Sequence, residues 1–232
     1  MNFEKFKKIP RLSRDCIITE KIDGTNGQIC IIKRIDLWYA CDSFEIVMYD
    51  FIDKYCLYKT LAIQDENDII YMFAGSRKKW LDTSSNGDNF GFAKWVKANA
   101  EELLKLGEGR HFGEWYGKGI QRGYGLNEKR FALFNVGRWH KNGDTPRLIS
   151  IDPKTKEEKY TNPAPKCCDV VPILDEGMFD TEAIQTVLDT LQVNGSYVSS
   201  GFMNPEGIII FHKASGQLFK KTIKDDEKPK GI

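Results

Sequence analysis

Apolar residues recur along this chain in two rhythms, one alternating and one repeating every three to four positions. Cys16-Ile17-Ile18 running into Thr19-Glu20-Lys21 reads as a strand. Asp23-Gly24-Thr25-Asn26-Gly27 breaks it, and Gln28 to Ile35 resumes with β-branched residues, so residues 15–35 predict two strands around a turn. Ile69 to Phe73, Arg130 to Val136, Gly207 to Phe211 and Gln217 to Ile223 are further short apolar runs of strand type. The slower rhythm predicts two helices. One follows Asp88 or Asn89 as cap, puts Phe92, Trp95, Val96, Leu103 and Leu106 on one face, and stops at Gly107. The other starts near Asp180, carries Ile184, Val187, Leu188 and Leu191, and ends by Gly195. Residues 141–166, rich in Lys, Asp, Pro, Thr and Asn, read as an exposed excursion. Strands and helices without βαβ alternation predict an α+β fold.

Composition removes several functional classes. With 232 residues, 41% hydrophobic and 29% charged, the chain is neither disordered nor fibrous. Lys+Arg 34 against Asp+Glu 33 leaves a net charge of +1, so a surface for a polyanion must be local. No stretch approaches the roughly 18 apolar residues of a membrane span. The start, MNFEKFKKIPRLSRD, is basic without an apolar core, so no secretory signal is expected and the location expected is cytoplasmic. Cys16, Cys30, Cys41, Cys56, Cys167 and Cys168 form no C-x-x-C pair, which favours reduced thiols over zinc or disulfides. Asn194-Gly195-Ser196 then reads as a turn, and His111, His140 and His212 show no metal spacing. Gly117 to Gly123 has one residue too many for G-x-G-x-x-G. Trp115-Tyr116 and Tyr124, interleaved with Lys118 and Arg122, could stack on a nucleic-acid end or form a packed loop.

The candidate chemistry starts at Lys21. It ends a strand just before a tight turn, a place that can hold its amine at a sheet edge. A nucleophilic amine must lose its proton, and its free pKa is about 10.4, so a site has to lower it. Alone, K-x-D-G reads as a surface lysine beside a hairpin turn.

Thr19-Glu20-Lys21-Ile22-Asp23-Gly24-Thr25-Asn26 resembles the nucleotidyl-lysine motif of the covalent nucleotidyltransferases, the superfamily of ATP-dependent ligases and mRNA capping enzymes. Five further segments follow in that superfamily's order. They are Ala74-Gly75-Ser76-Arg77, Phe112-Gly113-Glu114-Trp115, Phe131-Ala132-Leu133-Phe134-Asn135-Val136, Pro205-Glu206-Gly207-Ile208-Ile209 and Leu218-Phe219-Lys220-Lys221-Thr222. Asn26 and the extension Gly117-Lys118-Gly119-Ile120-Gln121 make the chain similar to the RNA-ligase-2-like family of ATP-dependent RNA ligases.

The resemblance implies a single nucleotidyltransferase domain over residues 1–232, with antiparallel sheets and flanking helices around an ATP cleft and no OB-fold domain. It implies an enzyme that joins 5′-phosphate and 3′-hydroxyl RNA ends through a lysyl-AMP at Lys21 and an adenylylated 5′ end. Catalysis of such in-line displacements is positioning plus neutralisation of phosphoryl charge. Lys21, Glu114, Glu206 and Lys220 are the implied catalytic residues. ATP contacts are implied for Thr19, Glu20, Lys21, Ile22, Asn26, Arg77, Glu114, Phe134, Glu206, Lys220 and Lys221, with the adenine read by backbone groups around Thr19 and Glu20. Phe134 is the implied adenine platform, with Phe131 competing, and Arg77 suits a bidentate phosphate or ribose contact. Glu114 and Glu206 are the implied holders of Mg²⁺ (or Mn²⁺), an ion that takes few carboxylates. Relatives carry K-x-K in the last motif; here Thr222 occupies the second position, leaving Lys221 or Lys224 as substitutes. The chain ends ten residues after Thr222, so nicked duplex and an accessory protein are the expected RNA-side partners, with no membrane. A minimal DNA ligase, a capping-type enzyme and a non-catalytic end-binding module are the rival readings.

Overall fold

The segment that reads as two strands around a turn is not a hairpin. In the computed structural model, which describes residues 13–33, 45–61 and 69–224, β1 (Asp15–Lys21) and β2 (Thr25–Lys33) belong to different sheets. Residues 1–12, Ile35 and Cys41 lie outside the described residues. The chain divides between these strands into two units, the first Met1–Asp23 with Val171–Ile232 and the second Gly24–Val170.

After β2 the second unit continues with α1 (Glu45–Tyr55), β3 (Cys56–Leu61), β4 (Ile69–Gly75) and β5 (Trp80–Leu81). Next come α2 (Phe92–Ala98), α3 (Ala100–Leu103), β6 (Gly109–Gly117) and β7 (Lys129–Leu133). The short strands β8 (Trp139–His140), β9 (Leu148–Ile151), β10 (Glu158–Tyr160), β11 (Asn162–Pro163) and β12 (Cys168–Val170) complete it. Its main sheet runs β12-β7-β6-β2-β4-β3, with β5 added beside β4. β12 pairs parallel to β7 and the other neighbours are antiparallel. Alternation along β2 sends Ile29 and Ile31 into a core with Phe92, Val96, Leu103, Trp115 and Phe131. Cys30 faces the other way, toward Phe73, Tyr71 and the α1 residues Phe51, Ile52 and Tyr55.

The helix expected after Asp88 forms in pieces. α2 and α3 are separated at Asn99, whose side-chain amide donates to the Trp95 carbonyl (2.8 Å), and a 3₁₀ turn over Leu104–Leu106 ends at Gly107. Gly91, not Asp88 or Asn89, occupies the N-cap position, and the Asp88 carboxylate reaches the first turn from three residues earlier by accepting the Ala93 N–H at 2.7 Å. Phe92, Val96, Leu103 and Leu106 are buried, as their spacing requires. β7 is shorter than expected because the chain turns at residues 134–138, with Val136 N–H donating to the Phe134 carbonyl (2.9 Å). Within 141–166, β9 and β10 form a ribbon exposed along its whole length, as expected of the excursion.

The first unit is β1 with β13 (Ile173–Met178), α4 (Thr181–Asn194), β14 (Gly207–His212) and β15 (Gln217–Thr222). Its sheet is antiparallel, ordered β13-β1-β14-β15, so β1 is an interior strand. Cys16, Ile18, Ile208 and Ile210 pack on Ile184, Leu188 and Leu191 of α4. Each such side chain, fully buried, contributes about 1.5–3 kcal/mol. Asp180 caps α4 by accepting the Glu182 and Ala183 N–H groups, and Gly195 ends it at φ 79°. The sheet-dominated α+β class thus agrees with the sequence reading. Cys16, Cys30, Cys56, Cys167 and Cys168 are free thiols, and no helix among the described residues is long and apolar enough to cross a membrane.

Candidate active site

Alternation along β1 decides which residues of the nucleotidyl-lysine-like segment share a face. Cys16, Ile18 and Glu20 point toward α4, and Ile17, Thr19 and Lys21 point to the opposite face. Lys21 ends this interior strand opposite Gly207, not at a sheet edge and not beside a hairpin turn as the sequence suggested. After Asp23 the chain runs on into β2 of a different sheet instead of folding back on β1. The Lys21 ammonium donates to the Glu206 carboxylate, and the two side chains are only 19% and 12% exposed. A Cβ on Gly207 would lie 2.2 Å from the Lys221 carbonyl oxygen, so only glycine lets β15 approach here.

Register then separates the two lysines of the last motif. Ile209 of β14 lies opposite both Thr19 and Lys220, which puts Lys220 on the face of Lys21, and Thr222, opposite Gly207, joins it there. Lys221 lies opposite Ile208 on the α4 side, where its ammonium donates to the Gln185 side chain at 2.6 Å. Lys221 is therefore not grouped with Lys21, because one step along a strand reverses the face. Lys224 follows the strand, and its backbone carbonyl accepts the Thr222 hydroxyl at 2.9 Å.

Glu20 is 1% exposed. Its carboxylate accepts the Ser196 hydroxyl (2.6 Å) and the backbone N–H groups of Tyr197 (2.8 Å) and Val198 (3.3 Å). Burial pushes its carboxyl above the ordinary range, and these three hydrogen bonds pull the other way. Its own N–H donates to the Pro172 carbonyl at 3.0 Å. Thr19 and Ile22 are also buried. The sequence reading did not find the Glu20 side-chain contacts. The available signal was a carboxylate at the core-facing parity of an otherwise apolar strand.

The second unit groups the other candidates on neighbouring strands. Asn26 lies opposite Glu114 across β2 and β6, and the Glu114 carboxylate accepts the Gly24 N–H at 3.1 Å. A Cβ on Gly24 would sit 2.4 Å from the Trp115 carbonyl oxygen, which explains glycine at that position. On the same face Gln28 pairs with Phe112, and the Phe134 N–H donates to the Phe112 carbonyl (3.0 Å). Phe134 is 38% exposed, whereas its competitor Phe131 is fully buried against Phe92 and Trp95. Arg77 is exposed in a turn after β4, closed by the Ser76 N–H donating to the Lys79 carbonyl (2.8 Å). Gln28, unnoticed in the sequence, steadies that turn by donating to the Ser76 carbonyl at 3.2 Å.

The remaining sequence candidates are structural. Trp115 and Tyr116 in β6 and Tyr124 in the 3₁₀ turn after it are buried, with the Tyr116 hydroxyl donating to Asp169 (3.0 Å), so these rings are packed in the protein. The rings of His111, His140 and His212 are each hydrogen-bonded to protein oxygens. Among the described residues there is no group of three or more His, Cys, Asp or Glu side chains that could hold a metal. Each unit instead offers one carboxylate in its candidate group, Glu206 in the first and Glu114 in the second.

A family model described as RNA ligase matches residues 14–223. No curated protein sequence matches the chain. Similar solved structures include Naegleria gruberi RNA ligase with PPi, 16% identical at a TM-score of 0.46, which covers 90% of this chain and 50% of that one. A mutant of the same ligase with ATP and Mn is 15% identical at a TM-score of 0.48, covering 95% of this chain and 53% of that one. Another mutant with ATP and Mn is 16% identical at a TM-score of 0.49, with 90% and 50% covered. This chain spans about half the length of those proteins.

Proposed function

The chain belongs to the RNA ligase family, and from that premise we propose that it is an ATP-dependent RNA ligase acting through a lysyl-AMP at Lys21. The proposal treats residues 1–232 as a single domain of nucleotidyltransferase fold. The observation that carries it is the Lys21–Glu206 pair at the end of an interior strand, with Lys220 on the same face.

In the proposed first step the Lys21 ammonium releases its proton to solvent, and the free amine attacks the α-phosphorus of ATP. A nitrogen–phosphorus bond forms, the bond to the β-phosphate oxygen breaks, and pyrophosphate leaves. AMP then passes to an RNA 5′-phosphate, and a 3′-hydroxyl displaces it to form the phosphodiester. Glu206 holds the ammonium in place, so its role is to fix where the amine stands when the proton departs. Lys220 supplies positive charge to the phosphates on that face.

The roles proposed for the second unit rest on geometry inside it. Phe134 offers an exposed ring for the adenine, and stacking of this kind contributes roughly 1–3 kcal/mol. Arg77 offers an exposed guanidinium on a turn that Gln28 braces. Glu114 is the proposed partner of the ribose or of a metal-bound water, and Asn26, opposite it on β2, is a proposed ATP contact. Glu206 and Glu114 are the proposed carboxylates for Mg²⁺ or Mn²⁺, and such an ion would neutralise phosphoryl charge. RNA ends at nicks in a duplex are the proposed substrate.

Intact-protein mass after exposure to ATP and Mg²⁺ tests the class of chemistry. The expected result is a gain of one AMP on Lys21, and no gain with GTP. Nicked RNA should then discharge the adduct and be sealed, and nicked DNA should not. A folded protein that never gains AMP would overturn the reading.

A further inference from the structure

We propose that Glu20 is a positioning residue whose buried carboxylate ties the loop that delivers Glu206 to the strand that delivers Lys21. The proposal rests on the reading of Lys21 as the nucleophile. Glu20 and Lys21 are consecutive in β1 and leave it on opposite faces. On the α4 side Glu20 takes the Ser196 hydroxyl and two successive N–H groups, those of Tyr197 and Val198. On the other side Lys21 takes Glu206.

The gripped segment and Glu206 belong to one short, tight stretch. The Ser196 N–H donates to the Phe202 carbonyl (2.8 Å), and the Phe202 N–H donates to the Ser199 carbonyl (3.1 Å), which closes the loop on itself. Gly195, at φ 79°, starts it, and a Cβ there would meet the Phe202 carbonyl oxygen at 2.7 Å. Four residues after Phe202 the chain reaches Glu206, whose carbonyl accepts the Ile223 N–H at 3.0 Å. Glu206 is thus held downstream by the chain after β15 and upstream by a loop fastened to the residue beside Lys21. Burying a carboxylate is unfavourable unless donors replace its water. Here three donors from one loop do so, and an apolar residue at this position would pack on α4 without fastening anything.

The test uses the full chain and the initial rate of AMP adduct formation, read by intact mass across ATP concentrations. Glu20→Gln and Ser196→Ala should each slow the rate at saturating ATP by about tenfold, the effect of one lost charge-assisted hydrogen bond. The ATP concentration giving half the maximal rate should stay within about twofold, since the adenine contact implied at Glu20 is made by its backbone, which neither substitution changes, and its carboxylate is bonded to residues 196–198. In a Glu206→Gln background the same substitutions should add less than about twofold, because the residue they act through is already altered. Equal effects in both backgrounds, or a wild-type rate in a folded Glu20→Gln protein, would overturn the proposal. Ser196→Ala keeps the carboxylate and both N–H donors, so it carries the test if Glu20→Gln fails to fold. If the wild-type chain gains no AMP, the functional reading has failed and the linkage is read by amide hydrogen exchange. Faster exchange at Ser196–Val198 in Ser196→Ala should then extend to Gly207–Ile208, and unchanged exchange there would refute the linkage.

Discussion

Lys21 and Glu206, 185 positions apart in the chain, are joined by an ammonium-to-carboxylate hydrogen bond at the end of an interior strand. Two exposed side chains would gain little from such a pair, but these are largely shielded from water. Lys21→Ala should abolish AMP transfer. It should also lower unfolding stability by about 1–3 kcal/mol, because Glu206 keeps a half-hidden charge without its partner. Lys21→Arg should restore most of the stability and none of the AMP transfer. Denaturant melts beside intact mass check both, and a Lys21→Ala protein that still gains AMP would move the nucleophile elsewhere.

Opposite faces of β15 predict opposite phenotypes for adjacent lysines. Lys220→Ala should slow AMP transfer by about tenfold to a hundredfold with little change in stability. Lys221→Ala removes the bond to Gln185 and should lower stability by about 1 kcal/mol while the rate holds. A rate loss confined to Lys221→Ala would mean that the register on β14 does not set the phosphate contact.

The two phenylalanines of β7 and its end should separate in the same way. Phe134→Ala should weaken ATP use by about 1–3 kcal/mol and leave the fold unchanged. Phe131→Ala opens a cavity in the second unit's core and should cost about 3–5 kcal/mol of stability. Nucleotide titrations and thermal melts of the two variants distinguish stacking from packing.

Glu20 also makes a pH prediction. Its folded carboxyl titrates above the ordinary value of 4.5 because burial disfavours the charge. Above 4.5 the folded state therefore binds more of this proton than the unfolded state does, and the stability due to the group declines as pH rises through the folded value. Glu20→Gln lacks that proton. The stability of the wild type minus that of Glu20→Gln should fall as pH rises above about 4.5. Urea midpoints across that range measure it, and a flat or rising difference would show that the three hydrogen bonds outweigh burial.

Much of the local structure was legible because it is encoded by neighbours in the chain. Asp180 with Ile184, Leu188 and Leu191 announces α4, and Asp88 announces the turn its carboxylate reaches, since capping and amphipathic spacing act over a few residues. The order of the motifs pointed to the RNA ligase family, and the match over residues 14–223 agrees. The single helix expected over residues 89–106 breaks at Asn99, which leaves helical geometry and bonds the Trp95 carbonyl with its side chain, a departure the apolar spacing does not signal.

By itself, then, the sequence determined which residue types occur, in what order, and where short-range periodicity starts and stops. Only the tertiary structure decided that β1 and β2 part into separate sheets, that Lys220 and not Lys221 shares a face with Lys21, and that Glu20 fastens residues 196–198. The reason is physical: strand pairing and buried hydrogen bonds join residues more than a hundred positions apart, and a shift of one residue in register exchanges the faces.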